Sequence, residues 1–375
     1  MLAEAIALAR THGAKLVLIH VVEGAGIELL DGAGDGGAGG VERLALGGVG
    51  GPLEHLAVEL LVLGQASAQS SEIVADRLDL PVMPELLTEP GENALLARGR
   101  HRAFVKVQDG CRYRCAFCIV TLARGNERSR SINDVVDEVR RVHAAGVNEV
   151  VLAGVHLGGY GSDRDSDLAS LIAAVLDDTD VPRVRLGSLE PWELSDGFWS
   201  LFTNPRLMPH LHLPIQSGAD SILRRMSRRC RTAEYRDLVA QARATVPDFN
   251  VTTDIIVGFP GESDGEWAKT LAFAEEMQFG HIHIFAYSPR AGTKAAAMSG
   301  QISRDVKRTR SQQLHALAER ERRATLQHAT GRTYELLVEQ RTAGDHWTGY
   351  TPNFLRVALH AGDADDLENR IVTVE

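Results

Sequence analysis

Three of the chain's four cysteines, Cys111, Cys115 and Cys118, fall in one short stretch, residues 105–130. Their C-x3-C-x2-C spacing can hold a metal, form disulfides or arise by chance. Disulfides are disfavoured because local partners are few and the sequence shows no secretory signal. A closed zinc site needs four ligands, and no fourth Cys or His stands at finger spacing. Three thiolates suit a four-iron cluster with one iron open to a substrate or cofactor; zinc is the alternative.

The bulk composition is that of a globular protein with more than one domain. The chain has 375 residues, of which 44% are apolar, so two or three domains with ordinary cores are expected. No apolar run approaches a membrane span, and the N-terminus lacks the features of a signal peptide. Few cysteines, most of them clustered, favour a reducing compartment. The expectation is a cytoplasmic protein without a membrane partner.

Charge is distributed unevenly along the chain. The net charge is −10, and residues 1–90 contribute −9 of it through 4 Lys/Arg and 13 Asp/Glu. Residues 98–130 hold nine basic residues against Asp109 and Glu127, a net of +7. Basic density therefore surrounds the cysteines, where it would attract anionic phosphates. A solvated arginine-rich face is the alternative.

From residue 98 the sequence alternates predicted strands and helices. The strands are expected at 103–107, 148–155, 183–191, 210–218, 250–262 and 281–289, and the helices at 131–146, 167–179, 219–228, 232–245 and 264–277. Six such steps predict an α/β fold with a partial parallel (β/α)6 barrel over residues 98–328. Loops at the carboxyl ends of strands build the sites of such folds, and they carry Gly154, Glu190, Gln216, Ser217, Gly258 and Glu262 here.

The sequence predicts smaller units at the two ends of the chain. Residues 1–64 predict an α/β piece, with a helix over 2–14, strands over 15–22 and 59–64, and a flexible glycine-rich loop over 24–51. This piece resembles fragments of a universal stress protein domain, in ALARTHGAKLVLIHVVEGAG and LAVELLVLG, but that family's nucleotide-binding loop is not apparent. Residues 65–97 predict a connector. A basic helix over 303–329 is followed by a β module over 329–375, with at most five strands.

The barrel region resembles a known enzyme family. The C-x3-C-x2-C spacing with Phe117 before the last cysteine resembles the signature of the radical S-adenosylmethionine (SAM) superfamily. The segments VKVQDGCRYRCAFCIV, ARGNERSRS, EVVLAGVHLGGYG, LHLPIQSG, TDIIVGFPGE and FAYSPRAGT resemble, in this order, the tRNA methylthiotransferases, especially the threonylcarbamoyladenosine type. GYTPNFLRV resembles the TRAM domain, an RNA-contacting β module. The likeness covers residues 98–375, and residues 65–97 resemble a remnant of the family's N-terminal domain.

The resemblance implies an activity and its cofactors. Cys111, Cys115 and Cys118 would hold one [4Fe–4S] cluster whose open iron binds SAM. A 5′-deoxyadenosyl radical from SAM would take hydrogen from C2 of N6-threonylcarbamoyladenosine 37 in tRNA, leading to its methylthiolation. The partners implied are tRNA and a one-electron donor such as flavodoxin or ferredoxin.

Position in the fold assigns further residues to the cofactor and to RNA. Gly154, Gly158 and Gly159 would let SAM approach the backbone. The other cofactor-binding candidates are Phe117, Glu190, Gln216, Ser217, Val257 and Gly258. Phosphate or carboxylate contacts are expected from Arg124, Arg128, Arg130 and Arg290, and base stacking from Tyr350 and Phe354. Cys230 and the strand histidines, His210, His212, His281 and His283, are interpreted as structural.

The chain departs from the family pattern upstream of the cysteine triplet. Methylthiotransferases normally carry three further cysteines in an N-terminal domain, where a second cluster takes part in sulfur delivery. Residues 1–110 contain no cysteine, so one cluster, not two, is expected, and methylthiolation that is not completed is one of the two outcomes expected for the enzyme. A non-catalytic RNA-binding relative is the alternative function.

Overall fold

The computed structural model describes residues 15–21, 27–32, 58–63, 101–194, 196–342, 346–360 and 366–375. The chain divides into two compact units, Met1–Pro81 and Val82–Glu375. The boundaries predicted at residues 64, 97 and 328 stay predictions.

The first unit contains a three-stranded antiparallel sheet in the order β2-β1-β3. Its strands are β1 (Lys15–Val21), β2 (Ile27–Gly32) and β3 (Val58–Leu63). The strands predicted at 15–22 and 59–64 are confirmed. The loop predicted over 24–51 is wrong at β2, because the apolar run IELL pairs with β1 from Ile27 opposite Val21 onward. The predicted helix over 2–14, the remainder of the glycine-rich loop and the connector at 65–97 lie outside the described residues.

The second unit contains the predicted partial barrel. Its parallel strands are β4 (Arg102–Asp109), β6 (Glu149–Gly154), β7 (Arg183–Leu186), β8 (His210–His212), β9 (Asn250–Val257) and β10 (His281–Ala286). They form two sheets, β5-β4-β6-β7 and β8-β9-β10, where β5 (Arg128–Ser129) is a short antiparallel edge strand. A parallel bridge between Ser188 and His212 joins the two sheets. The described strands therefore curve into one half-barrel of the (β/α)6 kind, as predicted.

Helices cover the outside of this half-barrel. They are α1 (Val120–Arg124), α2 (Ile132–Ala144), α3 (Leu168–Asp178), α4 (Asp220–Arg225), α5 (Thr232–Thr245), α6 (Asp264–Met277) and α7 (Arg304–Ala329). The predicted N-cap of α2 is confirmed, because the Ser131 side chain accepts a hydrogen bond from the Asp134 amide. None of the described helices is both long and apolar enough to cross a membrane.

Alternation along the strands separates a core face from a concave face. On β9, Val251, Ile255 and Val257 pack into the core beneath the helices, so Thr252 and Asp254 point the other way. The same parity places these side chains on the concave face of the half-barrel: Phe104, Lys106, Arg183, Arg185, His210, His212, Thr252, Asp254, His281, His283 and Phe285. The concave face is therefore largely polar, and Phe104 and Phe285 are exposed on it.

The C-terminal β module forms a four-stranded antiparallel sheet in the order β13-β12-β11-β14. Its strands are β11 (Tyr334–Thr342), β12 (His346–Tyr350), β13 (Arg356–His360) and β14 (Ile371–Val374). Four strands agree with the predicted module of at most five, and the chain turns at 351–355 between β12 and β13. Arg183 donates to the carbonyl oxygens of Tyr350 and Glu335. The module is thus bound to the barrel by buried guanidinium groups.

Candidate metal centre

The cysteine loop leaves the carboxyl end of β4 and is held by backbone hydrogen bonds. The Cys111 amide donates to Gly125 and the Cys118 amide to Cys115. The Ala116 amide donates to Met226 at 2.8 Å. Its carbonyl accepts from Ala295. The three cysteines are half-buried free thiols, so the predicted triplet sits in one ordered loop without disulfides.

Burial makes two of the three thiols, those of Cys111 and Cys115, less acidic. Burial raises the pKa of Cys111 to about 11. Burial also raises the pKa of Cys115, although the charge of Arg228 opposes the shift. Metals bind thiolates, so occupation of this site must release protons.

Spacing of the sulfurs tests which metal the loop fits. In a tetrahedral site with Zn–S bonds of about 2.3 Å, thiolate sulfurs lie about 4 Å apart. In the part of the chain that the structure describes, one group of three His, Cys, Asp or Glu side chains has its ligand atoms all within 4.8 Å of one another. That group is His212, Asp254 and His283, and it includes no cysteine. At least one pair of the three cysteine sulfurs therefore lies more than 4.8 Å apart, wider than the edge of a single zinc tetrahedron. Three thiolates are the donor set of a four-iron cluster with one open iron.

Arg228 places a buried positive charge beside the triplet. Its Nη1 lies 3.9 Å from the Cys115 sulfur, and its Nη2 lies 2.8 Å from a Glu190 carboxylate oxygen. The guanidinium also stacks over Trp192 at 4.4 Å. Sequence reasoning missed Arg228, although Cys230, two residues further on, was considered. Cys230 is buried in the core with its sulfur 3.3 Å from the Arg231 carbonyl oxygen, so its structural interpretation is confirmed.

A buried imidazole is held between two carboxylates behind the loop. His156 Nδ1 contacts Glu127 Oε1, and His156 Nε2 lies 2.6 Å from Glu193 Oε2. Nδ1 is hydrogen-bonded to Glu127, and Nε2 lies beside Glu193 without hydrogen-bond geometry, so two carboxylates flank the ring and favour its charged, imidazolium form. Burial opposes the charge, but Glu193 and Glu127 outweigh it and raise the pKa of His156. We call His156, Glu127 and Glu193 the imidazolium cluster.

The imidazolium cluster is connected directly to the cysteine loop. Arg112, next to Cys111, bridges the two carboxylates, with Nη1 3.0 Å from Glu127 Oε2 and Nη2 2.6 Å from Glu193 Oε1. The Tyr113 hydroxyl donates to Glu193, and its ring packs edge-on against His156 at 4.8 Å. The loop between Cys111 and Cys115 is therefore oriented by charges from β6 and its neighbouring loops.

The predicted SAM-approach glycines face the protein itself. A Cβ on Gly158 would lie 2.8 Å from Glu193 Oε2. One on Gly159 would lie 2.5 Å from His156 Nδ1, and one on Gly154 would lie 3.0 Å from Gln108 Oε1. These glycines are thus required by the imidazolium cluster and by Gln108. Their role in SAM binding stays a prediction.

The other cofactor candidates differ in how free their side chains are. Glu190 is paired with Arg228. Ser217 is fully buried, accepting from the Ala219 amide and contacting Thr270, so its hydroxyl is already used in a turn. Gln216 adopts φ 75° and has a buried Oε1 without a protein partner. Gly258 donates to Glu262, Val257 is core, and Phe117 packs in a smaller apolar cluster. Gln216 and Glu190 are therefore the candidates with free hydrogen-bonding capacity.

The predicted RNA contacts divide into exposed and structural groups. Arg124, Arg128 and Arg290 are exposed. Arg130 pairs with Glu138 and donates to the Lys106 carbonyl, so its phosphate role is not supported. Tyr350 and Phe354 stack on each other at 4.7 Å, and Phe354 stacks on His210 of the barrel. Those rings are occupied in attaching the terminal module, which opposes a base-stacking role.

We expect substitution of Gly110, the residue before Cys111, to have a large local effect. It has φ +74°, and an added Cβ would lie 2.0 Å from the Asn126 carbonyl oxygen. Gly146 also has a positive φ, +96°, but a Cβ there would meet nothing within 4 Å. The backbone penalty of about 1–2 kcal/mol is common to both alanine variants. We expect Gly110→Ala to lose more unfolding free energy in urea than Gly146→Ala, and to lower iron loading. Equal losses would contradict this.

Comparison with known proteins agrees with the site. A family model described as the radical SAM superfamily matches residues 105–274. A threonylcarbamoyladenosine tRNA methylthiotransferase of Thermotoga maritima is 36% identical over 262 residues, covering 68% of this chain and 60% of the relative. One of Bacillus subtilis is 35% identical over 285 residues, covering 74% and 62%. A tRNA-2-methylthio-N(6)-dimethylallyladenosine synthase of Staphylococcus saprophyticus is 37% identical over 259 residues, covering 68% and 50%.

A solved radical SAM enzyme, the coproporphyrinogen III oxidase of Escherichia coli, matches 72% of this chain and 75% of its own with a TM-score of 0.47 and 14% identity. The half-barrel and the matched region, residues 105–274, define a radical SAM domain within this chain. Its relatives are tRNA methylthiotransferases. The chain spans 60% and 62% of the length of the Thermotoga and Bacillus relatives.

Proposed function

We propose that this chain is a radical SAM enzyme of tRNA modification that acts at C2 of N6-threonylcarbamoyladenosine 37. The observation that carries the proposal is the cysteine triplet, ordered on the loop after the first strand of a radical SAM half-barrel. Support for the substrate comes from the Thermotoga and Bacillus relatives, which are threonylcarbamoyladenosine tRNA methylthiotransferases.

Residues of the chain would hold the cofactors in named roles. Cys111, Cys115 and Cys118 would ligate three irons of a [4Fe–4S] cluster, whose fourth iron takes SAM. When bound, cluster and SAM supply one-electron cleavage of the sulfonium and a 5′-deoxyadenosyl radical for hydrogen abstraction. Arg228 offsets the negative charge near the Cys115 sulfur. Burial opposes the charge of Arg228, but Glu190 and Cys115 favour that charge, and the pKa of Arg228 is raised. Gln216, which follows β8, has a side-chain oxygen that is free to accept a hydrogen bond.

The concave face supplies room for the modified base. Phe104 and Phe285 are exposed on it and suit contact with a base, while the polar residues beside them suit its polar substituent. Exposed Arg124 and Arg128 lie beside the cysteine loop and would contact tRNA phosphate. An electron donor of the flavodoxin or ferredoxin type completes the proposal.

Anaerobic reconstitution tests the first step. We expect the full chain to bind about four iron atoms and four sulfides, as one cluster and not two, with a brown absorption band. With dithionite it should convert SAM to 5′-deoxyadenosine. A loaded chain that never cleaves SAM would favour the alternative, a non-catalytic RNA-binding relative.

Transfer to tRNA is tested separately, in a strain that lacks its own methylthiotransferases. Mass spectrometry of its tRNA nucleosides should show a methylthio group on threonylcarbamoyladenosine when this chain is expressed. Methylthiolation of dimethylallyladenosine instead would reassign the substrate to that of the Staphylococcus relative. If SAM is cleaved but neither nucleoside gains sulfur, the chain performs the radical step without completing the transfer.

A further inference from the structure

Three side chains that the proposed function does not use converge on the concave face. His212 on β8, Asp254 on β9 and His283 on β10 bring one ligand atom each within 4.8 Å of one another. His212 Nε2 lies 3.1 Å from Asp254 Oδ1. The His212 and His283 rings meet edge-on with their centroids 5.3 Å apart. The group consists of imidazoles and a carboxylate, which are ordinary ligands of divalent transition metals.

Strand register explains why these side chains meet. In the parallel pairing of β9 and β10, His283 stands opposite Asp254. In the pairing of β8 and β9, His212 stands opposite Thr252, two residues before Asp254 and on the same face. Because side chains repeat every second residue, all three project from the concave side. The convergence therefore belongs to the sheet and not to a loop.

The neighbouring groups prepare His212 as a ligand. The Thr252 hydroxyl oxygen lies 2.9 Å from His212 Nδ1 and 3.0 Å from His210 Nε2. This contact fixes the ring so that Nε2 faces Asp254. A hydrogen bond on the second ring nitrogen is the usual arrangement of a metal-bound histidine.

His283 is accessible from solvent. Its side chain is exposed, whereas those of His212 and Asp254 are 18% and 21% exposed. An ion in solution can reach the group from the open side of the half-barrel.

We propose that His212, Asp254 and His283 form a site for a divalent transition-metal ion, with zinc as its first occupant. Two imidazoles and one carboxylate make three protein ligands, which leave at least one position open toward the concave face. The site is separate from the iron–sulfur loop, because its ligands lie on β8, β9 and β10 and include no thiol. The competing interpretation is a His212–Asp254 ion pair with His283 as a bystander.

Cobalt binding to a thiol-depleted chain distinguishes the two. The full chain, without an affinity tag and with Cys111, Cys115 and Cys118 all replaced by alanine, is titrated with Co²⁺. We expect one cobalt per chain, with d–d absorption bands and no thiolate charge-transfer band. Adding His283→Ala should weaken binding by at least about 100-fold, because loss of a ligand costs more than the 10–100-fold typical of a supporting group.

His281→Ala is the matched control. His281 lies on the same strand and face as His283 and is equally classed as exposed, but it is not part of the group. Its ring packs edge-on against His283 at 4.6 Å, so its removal should weaken cobalt binding far less than removal of the ligand itself. Absence of stoichiometric binding, or an equal effect of the two substitutions, would overturn the proposal.

A second measurement does not depend on whether the chain without Cys111, Cys115 and Cys118 folds. The wild-type chain, reconstituted with iron and sulfide and then dialysed against zinc, should hold one zinc per chain by elemental analysis. The His283→Ala chain should lose that zinc but keep its iron, and the His281→Ala chain should keep both. Zinc retained by His283→Ala would refute the site, whereas loss of SAM cleavage alone would bear on the proposed function.

Discussion

We expect the Cys115→Ala chain to lose its iron–sulfur cluster and all SAM cleavage while it keeps its fold. Cys115 is one of three thiol ligands, and two thiolates leave two irons of a four-iron cluster without protein ligands. The Cys115 side chain lies in a loop held mainly by main-chain hydrogen bonds, so its truncation should disturb the barrel little. Bound iron should fall from about four atoms per chain to near zero.

Cys230→Ala is the matched control for this substitution. Burial raises the pKa of Cys230 to about 12, and its sulfur packs in the core away from the triplet. Its loss should cost about 1 kcal/mol of unfolding free energy through a small cavity, without any change in iron content. Iron content equal in the two variants, measured after anaerobic reconstitution, would show that the triplet does not hold the cluster.

Local sequence predicted the elements and the triplet well. The Ser131 cap depends on a few consecutive residues, and the spacing of Cys111, Cys115 and Cys118 sets their chemistry within one loop. The alternation of β8, β9 and β10 with helices also gave the half-barrel. These features depend on residues that are close together in the chain, and the sequence shows such residues directly.

Groups assembled from distant segments could not be predicted in the same way. His212 and His283 were interpreted as packing residues, because no H-x-x-H spacing joins them; the sheet brings them to Asp254 from three strands. Arg228 reaches Cys115 across more than a hundred residues. A signal existed in the paired HLH and HIH strands, whose alternate histidines share a face, but only the register shows that they meet.

The imidazolium cluster supplies the second large expected effect, in His156→Ala. Breaking a buried ion pair by removing one partner typically costs about 3–5 kcal/mol, because the remaining charge is left buried without compensation. Here Glu127 and Glu193 would both remain, with side chains only 5% and 6% exposed. Arg112 would be their main counter-charge. We therefore expect a loss at the upper end of that range in urea unfolding.

The pH dependence gives this prediction a signature that simple loss of packing does not have. The pKa of His156 is raised in the folded chain above about 6.5 in the unfolded chain. Its stabilisation is therefore complete below about pH 6.5 and is lost as pH rises through the folded pKa. The wild-type chain should lose unfolding free energy on that alkaline side.

The His156→Gln chain, which fills the site without a titrating charge, should not show this loss. The His315→Ala chain, changed at an exposed position on α7, should behave like wild type. If wild type and His156→Gln share the same pH profile, the imidazolium assignment is wrong. If they differ as expected, a positive charge on His156 stabilises the fold beside Arg112 and Tyr113, the two residues that follow Cys111.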